Sequence, residues 1–365
     1  MRPVVIAAAC PNFVKVAPLL AEMERRGMPA SLVHTGQHYD AAMSDGFFAD
    51  LGIQTPDANL QVGSGSHAEQ TAGVLVAFER WVIDNKPDLV IVVGDVNSTV
   101  ACTLVAAKLG IPVAHVEAGL RSFDRTMPEE VNRIVVDGLA QWLLTPSIDA
   151  DANLLAEGVH PSRIHRVGNI MVDSLLRNLE RARALHCAPA HRFGLVTLHR
   201  PALVDEPDRL REVITALAEF SHELPLLFPA HPRTRQRLEA LDFDDLGNIT
   251  ICEPVGYLES LCLQDAASLV LTDSGGMQEE TTVLGVPCLT LRENTERPIT
   301  ISHGTNRLVG LDPARILHEA RNTLTERAEP RRPDLWDGRT SERIVDLFEQ
   351  PPVAVEWIPP ASVLR

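Results

Sequence analysis

The sequence predicts an α/β protein built from two Rossmann-like, doubly wound parallel-sheet domains that face a central cleft. Three observations carry this expectation. Short apolar, β-branched runs alternate with helix-like stretches, the pattern of parallel strands covered by helices on both faces. The length, 365 residues, suits two domains. The residues best equipped for chemistry stand just after the apolar runs, where open parallel sheets bind their ligands.

The first set of strands is expected at Val4–Ala9, Ser31–Thr35, Leu89–Val93, Val113–Val116, Trp142–Thr145 and Ile164–Val167. The second set is expected at Phe193–Leu198, Pro225–Phe228, Ile249–Cys252, Leu269–Thr272, Cys288–Leu291 and Arg307–Val309. Helical patterns lie between them, among them His67–Asn85, Ser98–Leu109, Glu129–Leu139, Asp208–His222, Met277–Leu284 and Ser341–Phe348. The alternation pauses over residues 169–190, which read as a connecting helix with a Pro-containing exit. This divides the chain into a domain at 1–168, the connector, a domain at 191–349 and a Pro-rich tail at 350–365.

Composition narrows the function. Aromatic residues make up 4% of the chain and the formal net charge is −16. Neither suits nucleic acid, which asks for stacking platforms and a basic footprint. The six cysteines form no CxxC pair and the thirteen histidines show no HExxH spacing, so the reading is no metal and no redox cofactor. No apolar run approaches the length of a membrane span, and the N-terminus reads as a first buried strand. The expectation is a cytoplasmic protein with reduced thiols.

The stretch Leu271–Pro298 is the most informative. An apolar run ends in Asp273-Ser274-Gly275-Gly276, and a helix-like segment with Gln278, Glu279 and Glu280 follows. Free N–H groups at such a turn, with the helix dipole, suit a phosphate. A plain tight turn is the alternative. Other strand ends carry Gly94-Asp95, Glu117, His199-Arg200 and His231. Asp95 can cap the helix that follows it, and Glu129, behind Pro128, can simply open one. Glu117, between Val116 and Ala118-Gly119, is a partly desolvated carboxylate suited to acid–base work, or a buried partner of Arg121 or Arg133. There is no GxSxG elbow, no Walker A motif and no GxGxxG after the first strand, which argues against a nucleophilic Ser and a nicotinamide cofactor.

The longer motifs are TGQHYD at Thr35–Asp40, GDVNST at Gly94–Thr99, HVEAGLRSFDRTMPEEVNR at His115–Arg133, TLHRPALVD at Thr197–Asp205, PAHPRTR at Pro229–Arg235, and TDSGGMQEE through RENTERP at Thr272–Pro298. With them the chain resembles the non-hydrolysing UDP-N-acetylglucosamine 2-epimerases, a family of glycosyltransferase-B-like fold. The resemblance implies an isomerase that eliminates UDP from UDP-N-acetylglucosamine to give 2-acetamidoglucal. UDP then adds back, with a proton on the other face of C2, to give UDP-N-acetylmannosamine. It implies catalytic roles for Asp95, Glu117, Glu129 and His199. It implies substrate binding by Lys15, Arg133, His231, Ser274, Gly275, Gly276, Glu280 and Arg297, with Ser274–Gly276 as pyrophosphate cradle and Glu280 as ribose-binding acid. Gln37 and His38 match a segment near an allosteric substrate site of some members. A UDP-sugar substrate, a homodimer and no cofactor also follow from the resemblance. The alternatives are a hydrolysing 2-epimerase that releases free N-acetylmannosamine, or a paralogue with weakened catalysis or a related UDP-sugar.

One position departs from the family. The segment after the first strand usually reads G-[TA]-R-P-[EN], and here it is Ala8-Ala9-Cys10-Pro11-Asn12. A cysteine offers neither the planar fork nor the permanent charge that arginine brings to a pyrophosphate.

Overall fold

The structure is a computed structural model that describes residues 1–8, 10–36, 50–243, 245–326 and 331–349, without the side chains of Cys10 and Pro11. Gln37, His38 and the tail at 350–365 lie outside the described residues. The chain forms two compact units. One is Met1–Ser174 with the C-terminal stretch from Asp334, and the other is Leu175–Pro333.

The first unit runs β1 (Pro3–Ala7), α1 (Cys10–Arg25), β2 (Ser31–His34), β3 (Ala58–Asn59), α2 (His67–Asn85), β4 (Leu89–Val93), α3 (Asn97–Lys108), β5 (Val113–Val116), α4 (Pro128–Leu139), β6 (Trp142–Thr145), α5 (Ile148–Ala156), β7 (Ile164–Arg166) and the start of α6 (Ile170–Arg183). Its seven parallel strands lie in the order β3-β2-β1-β4-β5-β6-β7. β1, β4 and β5 are buried throughout, as near-continuous apolar runs in a doubly covered sheet should be. One side packs Val4, Ile6, Val90 and Val92 on Phe78 of α2 and on α3, and the other packs Val5, Ile91 and Val93 on Phe13, Leu19 and Met23 of α1.

The second unit runs from the rest of α6 through β8 (Gly194–Thr197), α7 (Pro201–Val204), α8 (Pro207–Ser221), β9 (Leu226–Pro229), α9 (Pro232–Leu241), β10 (Ile249–Cys252), α10 (Tyr257–Ala266), β11 (Leu269–Thr272), α11 (Gly275–Leu284), β12 (Cys288–Thr290), α12 (Ile299–Ser302), β13 (Asn306–Leu308) and α13 (Pro313–Thr325). Its six parallel strands lie in the order β10-β9-β8-β11-β12-β13. Counted within the unit this is 3-2-1-4-5-6, the doubly wound order. The strand order reverses between β1 and β4 in one unit and between β8 and β11 in the other, so the crevices where ligands settle open at those carboxyl ends.

Twelve of the strands stand where the apolar runs place them, within about two residues at each end, the usual spread of such boundaries. β3 has two residues and too little pattern to be read. The last helix, α14 (Thr340–Glu349), belongs to the first unit and not, as the sequence divides the chain, to the second. Its apolar Ile344, Val345 and Phe348 complete the core around α1. Its N-terminus is held by Asp173 at the start of α6, whose carboxylate accepts the N–H groups of Thr340 (3.0 Å) and Ser341 (2.7 Å).

Candidate functional site

In the first unit Asp95 and Glu117 stand at the carboxyl ends of the neighbouring strands β4 and β5. Asp95 follows β4, and one turn of a neighbouring helix answers it. The Arg133 guanidinium of α4 binds Asp95 Oδ2 through Nη1 and Glu130 Oε2 through Nη2 at 2.7 Å. Asp95 therefore does not cap α3, whose N-cap is Val96 with no side-chain cap. Asn132 adds a bond from Nδ2 to the Asp95 carbonyl at 2.8 Å. Glu130 is buried and accepts the N–H groups of Ser122 (2.9 Å) and Phe123 (3.0 Å), which fixes the loop between Glu117 and α4. Its neighbour Glu129 stands half-buried in the first turn of the helix, behind Pro128.

Glu117 sits at the end of β5 with φ of 72°, a left-handed conformation that costs a non-glycine residue about 1–2 kcal/mol. The Glu117 and Ala118 N–H groups both donate to the Leu144 carbonyl of β6, at 3.1 and 3.2 Å, and hold the bend. The bend turns the carboxylate toward α1. Lys15 Nζ binds Glu117 Oε2, while Oε1 is buried with no protein partner. Gly94 lies against the same group, its Cβ position 3.5 Å from Lys15 Nζ and 3.6 Å from Glu117 Oε2. The unit thus holds a desolvated carboxylate with one oxygen neutralised by a lysine and the other buried without a protein partner. The partner is Lys15, and neither Arg121 nor Arg133, the two arginines the sequence offers.

In the second unit the crevice between β8 and β11 holds His199 and the turn at Asp273–Gly276. Asp273 is fully buried, and the sequence alone offers it no role beyond the turn. Its carboxylate accepts the N–H groups of His199 (2.9 Å) and Arg200 (2.7 Å) and binds His199 Nδ1 at 2.9 Å. Burial pushes the Asp273 carboxyl up, but the His199 ring and these amides outweigh it and hold it below the usual carboxylate range. His199 is thereby fixed as an Nδ1–H tautomer with Nε2 directed away from Asp273, the logic of an Asp–His dyad.

The first-turn N–H groups of α11 at Gly275 and Gly276 have no intrahelical acceptor, and the N-cap Ser274 makes no side-chain cap bond to them. Glu296 stands before this end, its Oε1 3.0 Å from the Cβ position of Gly275. Arg292 (2.8 Å) and Arg200 (3.4 Å) bind Glu296, and each carries a buried N–H with no protein partner. Burial raises the Glu296 carboxyl, but Arg297, Arg292 and Arg200 overcome it and keep it ionised far below the usual range. Arg297 itself is bound through Nε to the buried Glu279 at 2.7 Å. Three arginines thus stand near this helix N-terminus, their charge offset in part by Glu296 and Glu279.

Glu280, one turn into α11, is buried beside Gln264, which donates from Nε2 at 2.8 Å, and beside the Tyr257 hydroxyl. Burial pushes its carboxyl up to about 7; the hydrogen bonds from Gln264 and Tyr257 oppose this, and the charge of Glu279 adds to it. A cavity of about 230 Å³ opens nearby between β8, β9 and α10, with apolar walls from Leu195, Pro229, Val255 and Leu263 and with His199 and His231 on its lining. His231 caps α9 by accepting the Arg233 N–H at its Nδ1.

No group of three or more His, Cys, Asp or Glu side chains is arranged to hold a metal among the described residues, and no helix there is long and apolar enough to cross a membrane.

Known proteins share this architecture. The sequence model of the family described as UDP-N-acetylglucosamine 2-epimerase matches residues 21–349. The UDP-N-acetylglucosamine 2-epimerase of Methanocaldococcus jannaschii is 42% identical, over 95% of this chain and 99% of its own. A crystal structure of the enzyme from that organism, in complex with UDP-GlcNAc and UDP, matches with a TM-score of 0.89 at 40% identity, covering 95% of this chain and 99% of that one. The UDP-2,3-diacetamido-2,3-dideoxy-D-glucuronate 2-epimerase of Pseudomonas aeruginosa is 40% identical, over 95% of this chain and 99% of its own. From family motif, full-length similarity and fold together, the chain belongs to the UDP-N-acetylglucosamine 2-epimerase family.

Proposed function

We propose that this protein interconverts UDP-N-acetylglucosamine and UDP-N-acetylmannosamine by eliminating and re-adding UDP. The single observation that carries the reading is Glu117, a strained, desolvated carboxylate with Lys15 on one oxygen and the other buried without a protein partner, in a chain of this family. The C2 hydrogen of the sugar is not beside a carbonyl. A carboxylate removes it as the C2–H electron pair forms the C1=C2 bond and the C1–O bond breaks toward UDP. In the return step UDP oxygen bonds C1 and a second carboxylic acid delivers a proton to the other face of C2. Asp95, Glu117 and Glu129 supply the carboxylates that serve the two faces of C2, and His199 serves the leaving phosphate.

The N-terminus of α11 with Ser274, Gly275 and Gly276 takes the pyrophosphate, and the adjoining apolar cavity takes the pyrimidine. Arg200 and Arg292, with their unpartnered N–H groups, supply positive charge that Cys10 does not. Arg133 and Arg297 act by holding Asp95 and Glu279 in place. The protein works as a cytoplasmic homodimer without cofactor, in line with its resemblance to the family.

Incubation with UDP-N-acetylglucosamine in heavy water tests the reading. UDP-N-acetylmannosamine with deuterium at C2 is the expected product, and neither turnover nor C2 exchange would sink it for this substrate. Free N-acetylmannosamine in place of the UDP-sugar would mark a hydrolysing enzyme. A related substrate is the second reading, favoured by the 40% identity to a relative named for a diacetamido uronic acid. Exchange at C2 of that UDP-sugar and not of UDP-N-acetylglucosamine would establish it.

Glu280 gives this reading a pH signature. Ribose hydroxyls donate to its ionised form, so nucleotide affinity should fall as pH drops through about 7. At about pH 6 only about a tenth of the molecules carry the ionised group, and UDP-sugar affinity is expected to be about tenfold weaker than at pH 8. Glu280→Gln should bind more weakly but lose this pH dependence, by titration calorimetry. The effect on folding has the opposite direction. A carboxyl raised from its ordinary 4.5 to about 7 favours the folded state most below pH 4.5, and this contribution is lost as pH rises through 7.

A further inference from the structure

We propose that His115 and Asp137 form a buried positioning pair that sets Asp95 and Glu117 in register with each other, an inference that rests on the epimerase reading above. His115 lies in β5, fully buried, opposite Val92 of β4. Its Nε2 donates to the carbonyl of Gly94 at 2.9 Å, and its Nδ1 meets Asp137 Oδ1 at 2.6 Å. A carbonyl oxygen can only accept, so Nε2 carries a hydrogen. Burial pushes the Asp137 carboxyl up, but His115 and Arg121 together hold it below the usual carboxylate range.

The other oxygen of Asp137 accepts the Gly119 N–H at 3.1 Å and the Arg121 Nη1 at 2.8 Å. Arg121 continues to Glu157 with two bonds of 2.7 Å, which balances the buried charges. One His–Asp pair therefore grips both catalytic turns. The Gly94 carbonyl belongs to the peptide that carries Asp95, and the Gly119 N–H lies two residues past Glu117.

Both turns need the grip, because both are bent. Gly94 and Gly119 have φ of 71° and 80°, and Glu117 has 72°. A Cβ at Gly119 would stand 2.4 Å from the Ala150 carbonyl oxygen, so the turn has no slack on that side. A shift of about 1 Å in a reacting group can cost on the order of a hundredfold in rate. His115 and Asp137 touch no substrate in this account. They act through the backbone of Asp95 and Glu117.

The test uses the full chain and His115→Phe, which keeps a planar ring and removes both hydrogen bonds. We expect kcat to fall on the order of a hundredfold while KM stays within about threefold. In an Asp95→Asn background the same change should cost less than it does alone, because the residue that it positions is already impaired. His115→Gln, whose amide reaches the Gly94 carbonyl, should recover part of the loss. Amide hydrogen exchange at residues 94–97 and 117–121 should quicken in His115→Phe. This last readout does not depend on turnover, so it stands apart from a failure of the epimerase reading itself, which wild-type inactivity would reveal. A folded His115→Phe with wild-type kcat, or a loss fully additive with Asp95→Asn, would overturn the proposal. Should His115→Phe not fold, Asp137→Asn decides: reduced kcat with faster exchange at Gly119 supports the pair, and wild-type kcat refutes it.

Discussion

Glu117→Gln is expected to lower kcat about a thousandfold, the range for a positioned acid or base. The amide keeps the shape and can still accept from Lys15, but it cannot take up a C2 proton. Deuterium exchange at C2 should fall by the same factor, because both depend on the same bond. UDP binding should stay within about threefold, less than 1 kcal/mol, because the nucleotide contacts proposed here lie elsewhere. Some stability will be lost as well. Lys15 has 13% of its side chain exposed and is left with a weaker partner, and removing one member of such a pair is commonly costly. Kinetics measured well below the melting temperature separate the two effects. A Glu117→Gln enzyme that retains a tenth or more of wild-type exchange, on the order of 1.4 kcal/mol in barrier, would remove Glu117 from the chemistry.

Asp273→Asn should produce the second large effect, through His199. In the wild type the Asp273 carboxylate accepts from two backbone amides and from His199 Nδ1. In the variant the amide oxygen must keep the backbone N–H groups, so the NH₂ turns to the ring. His199 is then driven to the opposite tautomer, with its hydrogen on Nε2, and the role proposed for it toward the leaving phosphate is lost. The expected fall in kcat is on the order of a hundred- to a thousandfold, with nitrogen NMR of the labelled ring reporting the tautomer change. An unchanged tautomer together with near-normal kcat would show that Asp273 serves only to close the turn after β11.

Much of this was legible in the sequence, for physical reasons that differ between parts. The strands follow from apolar runs bounded by turn chemistry. The chemistry-bearing residues stand at strand ends because parallel sheets keep their ligands there. Glu117 and His199 could be singled out on that basis alone. Their partners could not. Lys15 lies 102 residues from Glu117, and Asp273 lies 74 from His199, and nothing local links the members of either pair. In the sequence Asp273 reads as part of a phosphate turn, and its burial and two amide donors are what give it a second task. In the sequence Arg133 reads as a possible partner for Glu117, and in the structure it instead holds Asp95, which follows β4. The placement of α14 was hidden for the same reason. Its cap, Asp173, lies 167 residues before it, so the helix reads locally as the end of the second domain.

Cys10 keeps its weight in this picture. The family's arginine is absent from the first residue of α1, and three arginines stand around Glu296 near the N-terminus of α11. Cys10→Arg should tighten UDP-sugar binding if the charge is wanted, by about 1.5–3 kcal/mol at most.

The central claim is that the bond between C1 and UDP breaks and reforms in each turnover. It is tested most directly with UDP-N-acetylglucosamine carrying a heavy oxygen isotope in the bridge between C1 and the β-phosphorus. Detached UDP can rotate its β-phosphate before it adds back, so the label should scramble into the non-bridging positions as C2 inverts. Inversion at C2 with the label still confined to the bridge would contradict the account.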